Sequence, residues 1–274
     1  VALLSACLIA TLSVPDSAFA QAAAEGKASV TQAEEPAGLT PEQRDKAVAT
    51  MRRVLAEEER WVKVHAAEHL LGLDYPQGVL EEIEKELEKH GDEPEYRIGI
   101  WRVLARGTNQ KKARLAWIDK IKEVALDAEA PDQLHAMETL GKLGVTIDDE
   151  ELGPVEEAAE KTDQPMGVYA QWVLVNSGQD EGGERLAEYL DSPDAIIRNT
   201  AAYVFSYLKK VSPAVKDKIA ATADKEPTVA MITAAALHGQ KDQREKRLQQ
   251  LVEYTKTGTV EEQRSAALGL ARAG

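Results

Sequence analysis

Val62-Lys63-Val64-His65-Ala66-Ala67-Glu68-His69-Leu70-Leu71-Gly72 has the spacing of a helix with one small, apolar side. At 100° per residue from His65, positions 63, 66, 67 and 70 fall between about 100° and 200°. Three of them are Ala66, Ala67 and Leu70; the fourth, Lys63, is expected to lay its stem on the core and carry its ammonium out to water. The pair Ala66/Leu70, small then large four residues on, recurs as Gly99/Val103, Ala136/Leu140, Ala170/Leu174, Ala201/Phe205, Ala234/His238 and Ala266/Leu270. Successive pairs stand 33, 37, 34, 31, 33 and 32 residues apart. In the sixth, a one-residue slip that puts Leu237 in the large position gives a slightly better fit. A period of this size predicts an array of stacked helical hairpins, each burying its apolar side against its neighbours.

Working outward, the chain alternates short breaks with helices expected near 41–58, 61–72, 77–90, 95–106, 110–127, 132–143, 149–161, 166–177, 182–191, 195–209, 213–224, 228–238, 242–256 and 260–272. Thr40, Pro41 and Gln43 open the first with an N-cap, a first-turn proline and a capping box. Pro94, Pro131, Pro165, Pro193 and Pro227 announce five second helices, at starts where the missing amide would be unpaired anyway. Composition agrees with an all-α fold, since aromatics are 5% of the 274 residues and Phe occurs twice, too few for a β-rich core.

The stretches Val62 to Gly72, Ile197-Arg198-Asn199-Thr200-Ala201-Ala202 and Gln263-Arg264-Ser265-Ala266-Ala267-Leu268-Gly269-Leu270 resemble the V-R-x-x-A-A-x-x-L-G core of the short HEAT-like repeats of the phycobiliprotein-lyase type. The likeness covers about residues 60–274. It implies a right-handed α-solenoid of about seven hairpins that serves as a binding scaffold, with the second helix of each pair lining the concave surface. Ile100 and Gln171 stand where the pattern has its second Ala.

The side opposite the small residues, between about 300° and 40°, is therefore the expected groove. It carries Trp61, His65, Glu68 and His69 in the first repeat, then Ile98, Trp101 and Arg102. Next come His135, Glu138 and Thr139, then Tyr169, Trp172 and Val173, then Thr200, Tyr203 and Val204. Three of the four tryptophans lie on this stripe. Aromatic and Arg side chains supply most hot-spot energy, so the stripe is a candidate surface for a protein, peptide or glycan. The alternative is that Trp101 and Trp172 fill space between repeats. Ala236 and Leu268 hold the same place in the last two repeats, so the groove is expected to be richest in the first five.

His65-Ala66-Ala67-Glu68-His69 matches the H-x-x-E-H pattern of inverted zinc peptidases, with two imidazoles one turn apart on a helix. That makes a metal-dependent enzyme using His65 and His69 the alternative reading. The repeat writes most of this string by itself, because His135-Ala136-Met137-Glu138-Thr139 has the same frame without the second His. Enzymatic signatures are otherwise lacking: there is no nucleophile elbow, phosphate loop or dinucleotide fingerprint. No cofactor is implied. A net charge of −14 disfavours nucleic acid despite Lys111-Lys112-Ala113-Arg114 and Lys209-Lys210. Acidic runs such as Glu81 to Lys89 and Ala56 to Arg60 read as solvated faces with helix-spaced ion pairs.

Val1 to Ser13 is apolar and uncharged, and Asp16-Ser17-Ala18-Phe19-Ala20 ends in an A-x-A pattern, so residues 1–20 read as a secretory signal peptide that lacks its basic leader. Leu4-Ser5-Ala6-Cys7 offers a lipoprotein reading through Cys7. Removing 1–20 leaves no cysteine, hence no disulfide or thiolate site, and no stretch long enough to span a membrane. Residues 21–39 read as a flexible linker and 40–274 as the repeat domain, exported to the periplasm or beyond. The abrupt end at Leu270 to Gly274 also fits a module of a longer exported protein.

Overall fold

The computed structural model describes residues 40–273. The signal peptide, Cys7 and the linker of the sequence reading lie outside them. The described residues form fourteen α-helices and no strand: α1 (Pro41–Glu57), α2 (Arg60–Gly72), α3 (Val79–His90), α4 (Pro94–Gly107), α5 (Lys111–Leu126), α6 (Gln133–Leu143), α7 (Gly153–Ala159), α8 (Pro165–Asn176), α9 (Glu184–Glu188), α10 (Ala195–Phe205), α11 (Pro213–Lys225), α12 (Val229–His238), α13 (Lys241–Thr257) and α14 (Val260–Ala273). The fold is all-α. None of the described helices is long and apolar enough to cross a membrane. Contacts gather the chain into two compact units, one ending at Asn109 and one starting at Gln110.

Local chemistry sets the boundaries. Gln43 N donates to Thr40 Oγ1 at 3.2 Å and Thr40 N to Gln43 Oε1 at 2.9 Å, closing the capping box at the start of α1. Ser212, Thr228 and Asp194 cap α11, α12 and α10 through their side-chain oxygens. Pro94 and Pro165 occupy first helical positions, as expected. Pro131, Pro193 and Pro227 instead stand one residue outside, just ahead of the N-caps Asp132, Asp194 and Thr228. Two expected helices are broken. The segment at 149–161 is a 3-10 turn over Asp149–Glu151 followed by α7, because Pro154 in the first turn of α7 has no amide to extend the turn before it. The segment at 182–191 is α9 followed by a 3-10 turn over Tyr189–Asp191. The helix expected to reach 209 stops at Phe205, where Ser206 Oγ donates to the Tyr203 carbonyl at 2.6 Å and takes up a terminal acceptor.

In the first unit α2 packs against α1, α3 and α4. Its core includes Leu55, Val64, Ala67, Leu70, Ile83, Ile98, Ile100 and Val103. In the second unit α6, α8, α10, α12 and α14 pack side by side in chain order, with α5, α7, α11 and α13 each against the following helix. One apolar cluster runs from Val168 and Trp172 through Phe205 to Ala235, and a smaller one joins Val229, Ile232, Leu251 and Ala266. Six of the seven small/large pairs are buried as pairs; in the seventh Ala266 is buried and Leu270 partly so.

Three expectations about these helices are corrected. His238, not Leu237, takes the large position of the sixth repeat: it is 9% exposed, its Nε2–H donates to the Phe205 carbonyl at 2.8 Å, and no slip occurs. Lys63 does not reach water. Its ammonium lies 3.0 Å from Glu86, and both side chains are buried; Tyr96 OH stands 3.1 Å from the other Glu86 oxygen. Glu86 accordingly leaves the run Glu81 to Lys89 that reads as a solvated face. The departure at Gln171 also has a physical cause. The side chain is buried and its Nε2 donates to Asp180 Oδ2 at 3.1 Å, an oxygen that also accepts the Leu186 amide at 3.2 Å and so ties α8 to the start of α9.

Candidate functional site

The expected groove residues fall into local groups that differ in exposure. In the first unit Trp61 and His65 are half-buried on α2 and stack with centroids 6.1 Å apart. Trp61 also meets Tyr96 edge-on at 5.9 Å. Its ring lies against Gly99, where a Cβ would come within 2.8 Å of it, so the small residue of the second repeat is a seat for the tryptophan of the first. His69 is exposed. Arg102 is not: it is 2% exposed, and its Nε donates to Glu68 Oε1 at 2.5 Å. The Arg106 guanidinium stands 3.8 Å from the same oxygen, and His65 Nδ1 lies 3.2 Å from Glu68 Oε2. The carboxylate can only accept, so Nδ1 is the protonated nitrogen. Trp101 is buried as well, with the Arg97 guanidinium 5.3 Å from its ring centroid.

This geometry bears on the H-x-x-E-H string. Glu68 is committed to a buried guanidinium and to His65, and the general-base carboxylate of a peptidase must instead face a metal-bound water. Among the described residues no group of three or more His, Cys, Asp or Glu side chains stands together as a metal site would require.

In the second unit the aromatic stripe closes on itself. Trp172 is 1% exposed. Its indole lies flat on α6 at Gly141, where a Cβ would come within 2.4 Å of the ring. Tyr203 meets it edge-on at 6.4 Å, and Tyr207 packs against it at a tilt of 48°, 5.1 Å between centroids. Tyr203 OH donates to Glu138 Oε1 at 3.0 Å, an oxygen also held by Lys142 Nζ at 3.0 Å. Burial, and then the adjacent carboxylate, raise the Tyr203 pKa well above the ordinary phenol value, so the hydroxyl stays protonated. Tyr169 and His135 are half-buried. Trp101, Arg102 and Trp172 thus leave the exposed face that the repeat phase assigns them. For Trp172 the physical reason is that α6 presents Gly141 to the indole, and a ring seated on a bare backbone excludes water from both; for Arg102 it is the Glu68 carboxylate that closes on its guanidinium.

An open groove appears further along, where the stripe has no tryptophan. It measures about 660 Å³ and lies among α10, α12 and α14. Its floor and walls include Val229, Ala230, Thr233 and Leu268, the last 40% exposed. At the N-terminal ends of the helices stand Tyr254, Glu261 and Glu262; at the C-terminal ends, Tyr203, Ser206 and Arg272. This groove lies in repeats five to seven. A second depression of about 540 Å³ beside α11 is filled with matched charge, Arg198 holding Glu226 at 2.7 and 2.9 Å and Lys218 holding Asp191 at 2.6 Å.

Sequence reasoning missed Lys142, Tyr207, Tyr254 and Arg272. Tyr207 and Arg272 each lie one turn beyond a stripe residue, Tyr203 and Leu268, so extending the stripe by four residues would have found both. The comparisons with known proteins place nothing beside these residues: no protein-family model matches the chain, and no curated protein is similar to it.

Proposed function

We propose that this chain is an exported, non-enzymatic scaffold whose hairpins stack in the right-handed HEAT-like manner, about seven in all, and which binds a protein, peptide or glycan on the second-helix face. The observation that carries this reading is the groove among α10, α12 and α14, where an apolar floor is bordered by tyrosines, hydroxyls and unlike charges. That mixture is the anatomy of a recognition surface, apolar at its centre and polar at its rim. An enzyme is less well supported, because Glu68, the acid of the most enzyme-like string, is neutralised by Arg102.

A photo-crosslinking residue placed at Leu268 in the groove, and separately at Leu115 on the exposed side of α5, tests the reading in an envelope extract. Both sites are exposed. Adducts from Leu268 and none from Leu115 are expected. Equal capture at both overturns the assignment of binding to this face.

A further inference from the structure

The charges around the groove are arranged along its length. At the C-terminal ends of α10 and α14, Arg272 reaches across from α14. Its Nη1 donates to Ser206 Oγ at 2.9 Å and its Nη2 to the Tyr207 hydroxyl. The guanidinium centre lies 4.1 Å from the Tyr207 ring centroid and 5.8 Å from that of Tyr203. These contacts use two of the five guanidinium N–H groups, and among the described residues no carboxylate pairs with it. In a chain with 47 acidic residues, a guanidinium held by two phenol rings and two hydroxyls leaves charge-assisted donors unclaimed. At the other end Glu261 is exposed and forms no ion pair among the described residues, whereas Glu226 is matched by Arg198 and Glu262 caps the turn at Thr259.

The shape selects the form of a ligand. A single arginine side chain bridges α14 to Ser206 and Tyr207 at the end of α10, so at that end a helix, roughly 10–12 Å across, would have to displace the bridge. An extended chain fits where a helix does not, and the bridge closes the end so that the chain stops there. From Glu261 to Arg272, α14 rises about 16 Å, which is about five residues of extended peptide.

We propose that the groove among α10, α12 and α14 receives the extended C-terminus of a partner polypeptide, its free carboxylate on Arg272, apolar side chains on Leu268 and Val229, and a basic residue about five positions from the end facing Glu261. This inference rests on the scaffold reading and names the partner's chemistry. The carboxylate is the group that a closed, cationic end bordered by hydroxyls recognises, since two oxygens in one plane match the guanidinium fork. Complementary charge at the far end sets the direction of the chain.

The probe is an N-terminally fluorescent, five-position scanning peptide library, made once with free C-termini and once amidated, with binding followed by anisotropy on the full chain. The free-acid pools should bind roughly tenfold tighter or more, the scale of a hydrogen bond to a charged group. Their selection should favour Lys or Arg at the first position and apolar residues at the last two. Arg272→Met, which keeps a stem over Tyr207, should abolish the difference between acid and amide, and Arg272→Lys should restore part of it. Glu261→Lys should move the first-position preference to Asp or Glu. Equal binding of acid and amide pools, or full discrimination by Arg272→Met, overturns the inference. Such a result leaves the scaffold reading standing if Leu268 still crosslinks selectively; loss of that selectivity is the separate failure of the broader reading. Far-ultraviolet melts of each variant confirm that the comparison is made between folded proteins.

Discussion

The surface of α6, α8 and α10 and the surface of α10, α12 and α14 are built from the same repeat positions and end in opposite states. Two residues after the small position stands Trp172 in the first region and Leu268 in the second. Trp172 is 1% exposed and Leu268 40%. The difference comes from what each neighbour offers. Trp172 meets the bare backbone of Gly141 and two tyrosine rings, and so fills the space between second helices. Across the groove from Leu268, α12 contributes Ala230 and Thr233, side chains too small to fill it. Between α6 and α8 an indole thus fills the space, and the groove opens among α10, α12 and α14, where no indole does.

The largest break in this comparison is Trp172→Ala. Removing a fully buried indole leaves a cavity among rigid helices and is expected to cost about 3–5 kcal/mol in urea unfolding. A loss below about 1 kcal/mol would show that the ring is displaceable and the first region openable. Glu68→Ala comes next, at about 3 kcal/mol, because it removes the carboxylate that accepts from the buried Arg102 Nε. Glu68→Gln should recover part of that loss, since the amide oxygen still accepts from Arg102 Nε; no recovery would mean that charge rather than the hydrogen bond holds the pair. Gly141→Ala adds one methyl under the Trp172 ring and should cost about 1–3 kcal/mol, the range of overpacked cores.

His238 gives a smaller, pH-dependent effect that sharpens the contrast at its other end. The position is polar where the other repeats have an apolar side chain. Burial lowers its pKa below the ordinary 6.5, the Lys216 charge lowers it further, and the hydrogen bond to Phe205 opposes both. The native state therefore holds neutral imidazole. Its contribution to stability is complete above pH 6.5 and falls as the pH drops through 6.5 toward the lowered value, where the unfolded chain takes up the proton first. Melts at pH 7.5 and 5.5 should show a drop in Tm for the native protein that is smaller in His238→Leu. Carboxylates whose pKa is lowered by partners, Asp224 by Arg247 and Glu226 by Arg198, act only below this window. An equal drop in the variant would remove His238 as the cause.

The repeat phase made most of the fold readable. It placed every second helix to within a few residues, and Thr40 with Gln43 announced their own cap. The failures share one cause: periodicity states which side of a helix a residue occupies and not what the adjacent helix brings to it. Lys63 and Glu86 are distant in sequence pattern, yet each removes the other's charge from water. Arg102 looks like a groove residue until Glu68 of the preceding second helix closes on it. The exposed face was therefore legible in angle and illegible in depth, and depth decided which residues remain available to a ligand.

Leu268→Ser is the smallest expected effect and the most direct test of that distinction. The substitution removes an apolar side chain at the same repeat position as Trp172, but one that is largely open to water and forms no part of either buried cluster. Surface substitutions of this kind shift stability by no more than about 0.5 kcal/mol. If the groove is a recognition surface, the same change should weaken the selected peptide by roughly the transfer free energy of the apolar area it covered, a few-fold or more in affinity. Stability unmoved and affinity reduced is the signature of a residue kept exposed for contact. A stability loss approaching that of Trp172→Ala would mean that α14 packs Leu268 in solution and that the two regions do not differ after all.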